Sequence, residues 1–179
     1  TWTPDSRAFV YQQGGDAMKP GGEPFGRTQV YLRSLAGGPD RKLMGWNEKF
    51  GPEMREKDWH YMDFSRNVAL SLHYEGIGSQ VRALVAPMME VLRNPQGAKW
   101  TALFGADAGI DAMDLAAGFF YARTFNGAPR YRVLRFDIMK PQAAPVEVVP
   151  QQAGVIDSVA AARDGLYYTV RSGSIAELF

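Results

Sequence analysis

The sequence predicts an all-β protein built from repeated antiparallel sheets, and two observations carry this prediction. Four segments share one form, a turn followed by a short apolar and aromatic strand: TPDSRAFVYQ from Thr3, DFSRNVALSLHY from Asp63, DLAAGFFYART from Asp114 and AARDGLYYTV from Ala161. Further strand-like runs follow each of the first three segments, and helical periodicity is weak. A unit of about 40 to 50 residues that contains four short strands is typical of a β-propeller blade. We therefore predict a partial β-propeller of about three to four four-stranded antiparallel blades.

The predicted blade units form a single domain and follow one another along the chain as residues 1–57, 58–107, 108–154 and an incomplete 155–179. The first unit is the longest because it contains two loops rich in Gly, Pro and charge, GGDAMKPGGEPFGR and NEKFGPEMREK. The pairs Gly14-Gly15 and Gly37-Gly38 are predicted to be hairpin turns. They are not phosphate-binding loops, because no Lys-Ser/Thr pair follows either of them.

Two segments carry features that could point away from a simple strand. APRYRVLRFDI, Ala128 to Ile138, carries three arginines, but side chains alternate along a strand, so Arg130 and Arg132 share one face while Arg135 takes the other. The positive charge is therefore split, and a plain strand is favoured over a phosphate-binding patch. VRALVAPMMEVLR, residues 81–93, contains Pro87, which argues against a continuous helix. We interpret it as a strand that runs into a hairpin loop.

The composition limits the partners and the chemistry. The net charge is +1, from 20 basic and 19 acidic residues, which argues against nucleic acid and against a membrane as the main partner. No apolar run approaches the length of a membrane helix. The absence of cysteine removes disulfides, thiolate metal sites and cysteine nucleophiles. The chain shows no targeting signal, so a cytoplasmic and a periplasmic location both stay open.

The candidate functional residues are few. His60 and His73 are the two histidines, and each is open to three interpretations: a hydrogen-bonded structural residue, a pocket-lining residue or a metal ligand. Their spacing does not match a metal motif. Asp107, Asp111 and Asp114 are interpreted as residues that fasten turns, because their spacing does not match a calcium loop. We predict neither a metal nor a cofactor.

Four stretches of the sequence carry a resemblance to a known family: TWTPDSRAFVYQ, DFSRNVALSLHYEG, FFYARTFNGAPRYRVLRFDI and PVEVVPQQAGVIDSVAAARDGLYYTV. In order and in spacing they resemble the propeller of the prolyl oligopeptidase family of serine peptidases, and the resemblance covers nearly the whole chain. It implies a seven-bladed propeller joined to an α/β-hydrolase domain with a Ser-Asp-His triad. The chain lacks the G-x-S-x-G elbow of such a nucleophile, so we nominate no catalytic residue and expect the hydrolase domain elsewhere in a longer polypeptide.

The resemblance also implies a role and a set of substrate-facing residues. Propellers of this family cover the active site and admit only short peptides, here short proline-containing ones. Two segments, KDWHYM and LHYEGIGS, match those that approach the substrate pocket in relatives. Carried over by position, this predicts the substrate-facing residues Trp59, His60, His73, Tyr74 and Ile77.

Two other functions stay open. One is a stand-alone β-propeller that serves as a scaffold for protein interactions. The other is a propeller enzyme that acts on sugars or phosphoesters, for which the sequence supplies few inner acids and histidines. An incomplete ring would expose edge strands, so self-association of the chain is a further expectation.

Overall fold

The computed structural model describes residues 1–14, 26–75, 78 and 81–179. Within these residues, fourteen strands form four sheets, and in each sheet the strands that follow one another along the chain are neighbours. Helix is confined there to one short α-helix and one 3-10 turn, Ala106–Ala108. None of the described helices is long and apolar enough to cross a membrane. The predicted all-β fold class is confirmed.

The first two sheets come from the first part of the chain. The three-stranded sheet consists of β1 (Ala8–Gln13), β2 (Gln29–Ser34) and β3 (Arg41–Gly45). The next sheet has four strands, β4 (Asp58–Ser65), β5 (Val68–Glu75), β6 (Val81–Pro87) and β7 (Thr101–Phe104). The α-helix, α1 (Met88–Arg93), follows β6 directly.

The other two sheets follow in the same way. The four-stranded sheet consists of β8 (Ile110–Ala116), β9 (Phe119–Thr124), β10 (Arg132–Asp137) and β11 (Val146–Val149). The last sheet has β12 (Val155–Ala161), β13 (Leu166–Ser172) and β14 (Ile175–Leu178). The turn between β8 and β9 is built from Ala117 (φ 52) and Gly118 (φ 83), and two positive φ angles in succession are typical of a tight hairpin.

The repeated turn-and-strand segments of the sequence correspond to β1, β5, β9 and β13. The last three are each the second strand of their sheet. Beside β1 the same position is taken by a short stretch in which Trp2 bridges Phe9 in antiparallel fashion. Thr1 and Val10 exchange two backbone hydrogen bonds there: the Val10 N–H donates to the Thr1 carbonyl, and the amino group of Thr1 donates to the Val10 carbonyl. The four segments are thus equivalent in structure as well as in sequence.

The chain divides into two compact units, Thr1–Gly78 with Ala83–Ala102, and Ser79–Arg82 with Leu103–Phe179. The core of the first unit joins apolar side chains of β1–β3 to those of the next sheet, of α1 and of the segment before β4. Its members are Val10, Val30, Leu43, Met44, Met54, Met62, Ala69, Ala86 and Val91. The core of the second unit centres on Val133, Val149 and Ile156. Each core is the product of alternation, since every second side chain of a strand points inward.

The structure corrects the expectation for residues 81–93. A strand does run to Pro87, but the following residues form α1 instead of a hairpin loop. Pro87 is tolerated because it precedes the first helical turn, where a missing N–H costs nothing. Val91 is fully buried in the first core, so packing stabilises a helix that is too short to show a periodic pattern.

The segment from Ala128 to Ile138 is a strand only from Arg132 onward. Ala128 accepts a hydrogen bond from the Tyr131 N–H, which makes a turn, and Tyr131 has φ 66. From Arg132 to Asp137 the strand pairs with β9 on one side and β11 on the other. The predicted split of the arginines between two faces therefore holds for Arg132 and Arg135, while Arg130 lies in the turn. The Gly37-Gly38 hairpin turn is confirmed, with φ 90 and φ 91, whereas Gly15 lies outside the described residues.

Candidate functional site

Strands β4 and β5 bring together four of the five predicted substrate-facing residues. In the antiparallel register, Trp59 lies opposite Tyr74 and His60 lies opposite His73. The fifth residue, Ile77, lies outside the described residues. Two pairs that are 13 to 15 positions apart in the sequence thus become direct neighbours at one end of the strand pair.

The two pairs lie on opposite faces of the sheet. Trp59 and Tyr74 share a face on which Trp59 is 39% exposed and Tyr74 is half-buried. His60 and His73 share the other face, and both are 1% exposed. Alternation along β4 produces this division, because neighbouring side chains point to opposite sides. Trp59 and Tyr74 are therefore the more accessible members of the set, while the two histidines are buried on the opposite face.

The buried histidines share one hydroxyl group. Ser71 Oγ lies 2.8 Å from His60 Nε2 and 2.7 Å from His73 Nε2. Ser71 is fully buried and also lies 3.8 Å from the sulfur of Met44. The residue is on β5, two positions before His73, so both side chains point to the same face. A single serine therefore joins the two histidines across the strands.

A carboxylate lies on the far side of His73. The Oδ2 atom of Asp58 is 3.7 Å from His73 Nδ1 and accepts a hydrogen bond of 2.8 Å from the Arg55 N–H. Asp58 itself is buried, and its carbonyl accepts a hydrogen bond of 2.8 Å from Thr28 Oγ1. These contacts hold the start of β4 in place.

The directions of the hydrogen bonds between Ser71 and the two rings depend on where the protons lie. Ser71 has a single proton to donate, so it serves only one of the two rings. When it donates to His73 Nε2, the His73 proton is on Nδ1 and faces Asp58, and His60 Nε2–H donates to Ser71. The order of groups, carboxylate to imidazole to hydroxyl, is that of a serine-hydrolase triad. The hydroxyl, however, is 0% exposed and cannot reach a peptide. The network orders the strands and does not act as a nucleophile.

A sixth residue belongs to this surface and was missed by sequence reasoning. Tyr61 is 48% exposed and lies on the same face as Trp59, two positions along β4. Burial raises the pKa of Tyr74, and electrostatic repulsion from the nearby Tyr61 raises it further. The signal was present in the DWHYM pattern, whose alternation places Trp59 and Tyr61 on one face. We name Trp59, Tyr61 and Tyr74 the aromatic face.

A small cavity of about 230 Å³ lies beside β4. His60, Tyr61 and Met62 contribute to its wall from β4, and residues of β1 and β2, among them Val10, Gln12 and Val30, contribute from the other side. It therefore lies within the first unit, between the two sheets whose side chains form the first core. Its size suffices for a few ordered water molecules.

Two of the three predicted turn-fastening aspartates, Asp111 and Asp114, accept hydrogen bonds on their carboxylates, whereas Asp107 accepts one of 3.1 Å on its backbone carbonyl from Asn126 Nδ2. Asp114 accepts hydrogen bonds of 2.8 Å from the N–H groups of Leu115 and Ala161. Asp111 Oδ1 accepts a bond of 2.9 Å from Arg123 Nε, and its Oδ2 accepts one of 3.0 Å from the Tyr131 hydroxyl. In the part of the chain that the structure describes, no cluster of three metal-ligating side chains occurs.

The four sheets, each a meander of three or four strands, define this chain as successive blades of a β-propeller. No protein-family model matches it, and no curated protein matches it by sequence. Among solved structures it is similar to the propeller portion of prolyl oligopeptidases.

The similarity extends over 99% of the chain to a prolyl endopeptidase whose inter-domain dynamics have been analysed, at a TM-score of 0.70 and 22% identity. Prolyl oligopeptidase B from Galerina marginata matches over the same share at a TM-score of 0.72 and 16% identity. It does so both without ligand and, as the D661A mutant, with a 25mer macrocyclization substrate. The chain spans only 25%, 24% and 25% of these three chains. At such identities the likeness establishes the fold.

Proposed function

We propose that this chain is the propeller segment of a prolyl-oligopeptidase-type serine peptidase and that it controls the access of short proline-containing peptides to a catalytic domain. The observation that carries the proposal is the agreement with prolyl oligopeptidases over 99% of the chain at TM-scores of 0.70 to 0.72. Collinear blade sequences support the same assignment. A propeller contributes no nucleophile in such an arrangement, and the buried Ser71 is consistent with that.

The partners follow from this proposal. The catalytic α/β-hydrolase domain belongs to the same polypeptide, and the ligands are short peptides. Trp59, His60, His73, Tyr74 and Ile77 form the side of the substrate pocket that the propeller supplies. Trp59 and Tyr74 would contact the peptide directly, since an exposed aromatic ring offers a flat apolar surface to a proline ring. His60 and His73 would act from beneath, because they hold β4 against β5.

The experiment uses the intact gene product that carries this segment. It should hydrolyse a short fluorogenic peptide on the carboxyl side of proline, and a serine-directed fluorophosphonate should label it and abolish the activity. A long unfolded polypeptide with the same cleavage sequence should be cut far more slowly. An intact product that neither cleaves the peptide nor reacts with the fluorophosphonate overturns the proposal.

A matched pair of variants then tests the aromatic face. Trp59→Ala should raise KM for the short peptide several-fold with a smaller change in kcat, because it removes a contact with the substrate. Trp2→Ala is the control, since Trp2 is 57% exposed and lies outside the β4–β5 pair. Equal effects of the two substitutions on KM would remove Trp59 from the substrate pocket and leave the peptidase assignment intact.

A further inference from the structure

A second concave site lies in the first unit, at the other end of the strands from the aromatic face. It is a groove of about 590 Å³ where β1 begins, β2 ends and α1 follows β6. Met88 N–H of α1 donates a hydrogen bond of 2.8 Å to the carbonyl of Asn67, in the turn between β4 and β5. Trp59 and Tyr74 occupy the opposite ends of those strands, about 20 Å away at the usual rise per residue.

The walls of the groove are apolar and adaptable. Leu32 contributes from β2, and Met88, Met89 and Leu92 contribute from α1. Met89 is 44% exposed, although a side chain of this size usually finds cover in a folded protein. Methionine side chains adjust their shape to different ligands because they are unbranched and flexible. The groove volume lies in the range of small-molecule sites.

The charges at the groove are predominantly positive. Arg7 and Arg41 both line it and are exposed. Arg41 Nη1 donates one long hydrogen bond of 3.4 Å to the carbonyl of Arg93. The charge of Arg7 attracts the Asp5 carboxylate and helps to lower its pKa, but the Arg7 guanidinium makes no hydrogen bond to another described residue. The acidic residue of the lining, Asp5, directs Oδ1 to its own turn, where it accepts bonds of 2.7 Å from Thr3 Oγ1 and 3.1 Å from the Arg7 N–H. Two guanidinium groups thus remain to meet an anion.

We propose that this groove binds a small carboxylate carried on an apolar chain, with the hydrocarbon against Leu32, Met89 and Leu92 and the carboxylate at Arg7 and Arg41. Arginine suits this role because its planar fork matches the two oxygens of a carboxylate. An apolar ligand without charge would leave both guanidiniums unused, and a cation would be repelled by them. The site is independent of the proposed peptidase role, since it lies at the opposite end of the strands.

The test measures binding of octanoate, with 1-octanol and octylamine as charge controls. Methyl-labelled methionines report the location by NMR, because Met88 and Met89 line the groove whereas Met113 and Met139 belong to the second unit. Octanoate should shift the Met88 and Met89 signals in a saturable manner and leave those of Met113 and Met139 unchanged. Octanol should bind more weakly, and octylamine should not compete.

Amino-acid substitutions in the groove distinguish the contribution of its charge to octanoate binding from that of its apolar shape. The double substitution Arg7→Gln and Arg41→Gln should weaken octanoate binding about tenfold, since each exposed ion pair contributes modestly. Arg163→Gln removes one charge at an exposed turn of the second unit and should leave the affinity unchanged. Met89→Glu should weaken binding as well, while Met89→Leu should preserve it.

Three results would overturn the proposal. One is equal affinity for octanoate and octanol. Another is methionine shifts spread over both units. The third is an affinity that survives the double arginine substitution. A short peptide that ends in leucine and binds more tightly than octanoate would replace the free carboxylate with a peptide terminus as the occupant.

Discussion

The rings of His60 and His73 meet edge to face across paired strands, with their centroids 5.1 Å apart. Both rings contact the same buried hydroxyl, that of Ser71, which makes a polar link inside an otherwise apolar core. Such a network stabilises the fold only when each polar group in it has a hydrogen-bond partner. A buried polar group without a partner loses its bonds to water and gains none in return. Its integrity should therefore be visible in the stability of the first unit.

Replacement of Ser71 by alanine tests this network. The substitution leaves two buried ring nitrogens without their common partner, so the free energy of unfolding should fall by about 1–3 kcal/mol. Urea unfolding measures the change. The control is Ser158→Ala, because the Ser158 hydroxyl bonds Thr169 Oγ1 at 2.7 Å in an exposed position. It should cost less than about 0.5 kcal/mol. Equal losses in the two variants would contradict a special role for Ser71.

Arg123 is expected to hold the second unit together. Its Nε donates to Asp111, its Nη1 donates to the carbonyls of Ile156 and Asp157, and its guanidinium lies 4.3 Å from the Tyr131 ring centroid. The Arg123 and Asp111 side chains are 13% and 10% exposed. Arg123→Met leaves that carboxylate without its cation, so we expect a loss of about 3 kcal/mol in thermal or urea unfolding.

The matched control for Arg123 is Arg171→Met. Arg171 pairs with Asp157, but the two side chains are 51% and 40% exposed, and water screens the pair. The expected loss is less than about 1 kcal/mol. If Arg171→Met lowered the free energy of unfolding as much as Arg123→Met, burial would not be the reason that the Arg123 contacts stabilise the second unit.

Tyr74 should titrate with a pKa above the ordinary tyrosine value. Burial raises the pKa of Tyr74, and the neighbouring Tyr61 raises it further. Because the neutral form is favoured in the fold, this contribution to stability is present below the ordinary tyrosine pKa and is lost as the pH rises above it. Tyr61→Phe should lower the Tyr74 pKa while leaving it above the ordinary value. An NMR titration with ring-labelled tyrosine measures the Tyr74 pKa in both proteins. If the pKa returned completely to the ordinary value in Tyr61→Phe, burial would not be the main cause of the raised pKa.

Self-association should involve the edge of the last sheet. β14 is the outer strand of that sheet, and Ile175 and Leu178 are 65% and 69% exposed. Unpaired edges with exposed apolar side chains favour pairing with a second copy, and lysine on an edge opposes it. Light scattering of the 179-residue chain should show association that rises with concentration and falls in Leu178→Lys.

Leu35→Lys serves as the comparison for the edge substitution. Leu35 is 59% exposed, and it follows the end of β2 instead of lying on an edge strand. It should therefore leave the association unchanged. A wild-type chain that stays monomeric at every concentration would contradict the proposed pairing through β14.

The fold could be predicted because its turns are local. The Ala117-Gly118 hairpin and the repeated strands around it depend on adjacent residues, so the pattern is legible in the sequence. α1 was not predicted, since its six residues are too few for a period and its stability comes from burial of Val91. The turn at Tyr131 was likewise predicted as strand, because nothing in the neighbouring sequence indicates that this aromatic residue has a positive φ.

The candidate site was predictable in part for the same reason. The alternation of β4 separates Trp59 from His60 without any knowledge of the third dimension. The bond of Ser71 to both histidines could not be predicted, because it depends on the register between β4 and β5. A shift of one residue would place Ser71 and His60 on opposite faces. Site geometry that depends on register requires the structure.

The crystal structure of the intact gene product with a covalent peptide-like inhibitor that carries proline would test the peptidase assignment most directly. We predict that these residues form successive propeller blades and that an α/β-hydrolase domain carries the inhibitor on a serine. The inhibitor should touch Trp59 and Tyr74 from the propeller side. An intact product built only of blades would overturn the peptidase assignment, and an inhibitor bound with its proline far from both rings would remove Trp59 and Tyr74 from the substrate pocket.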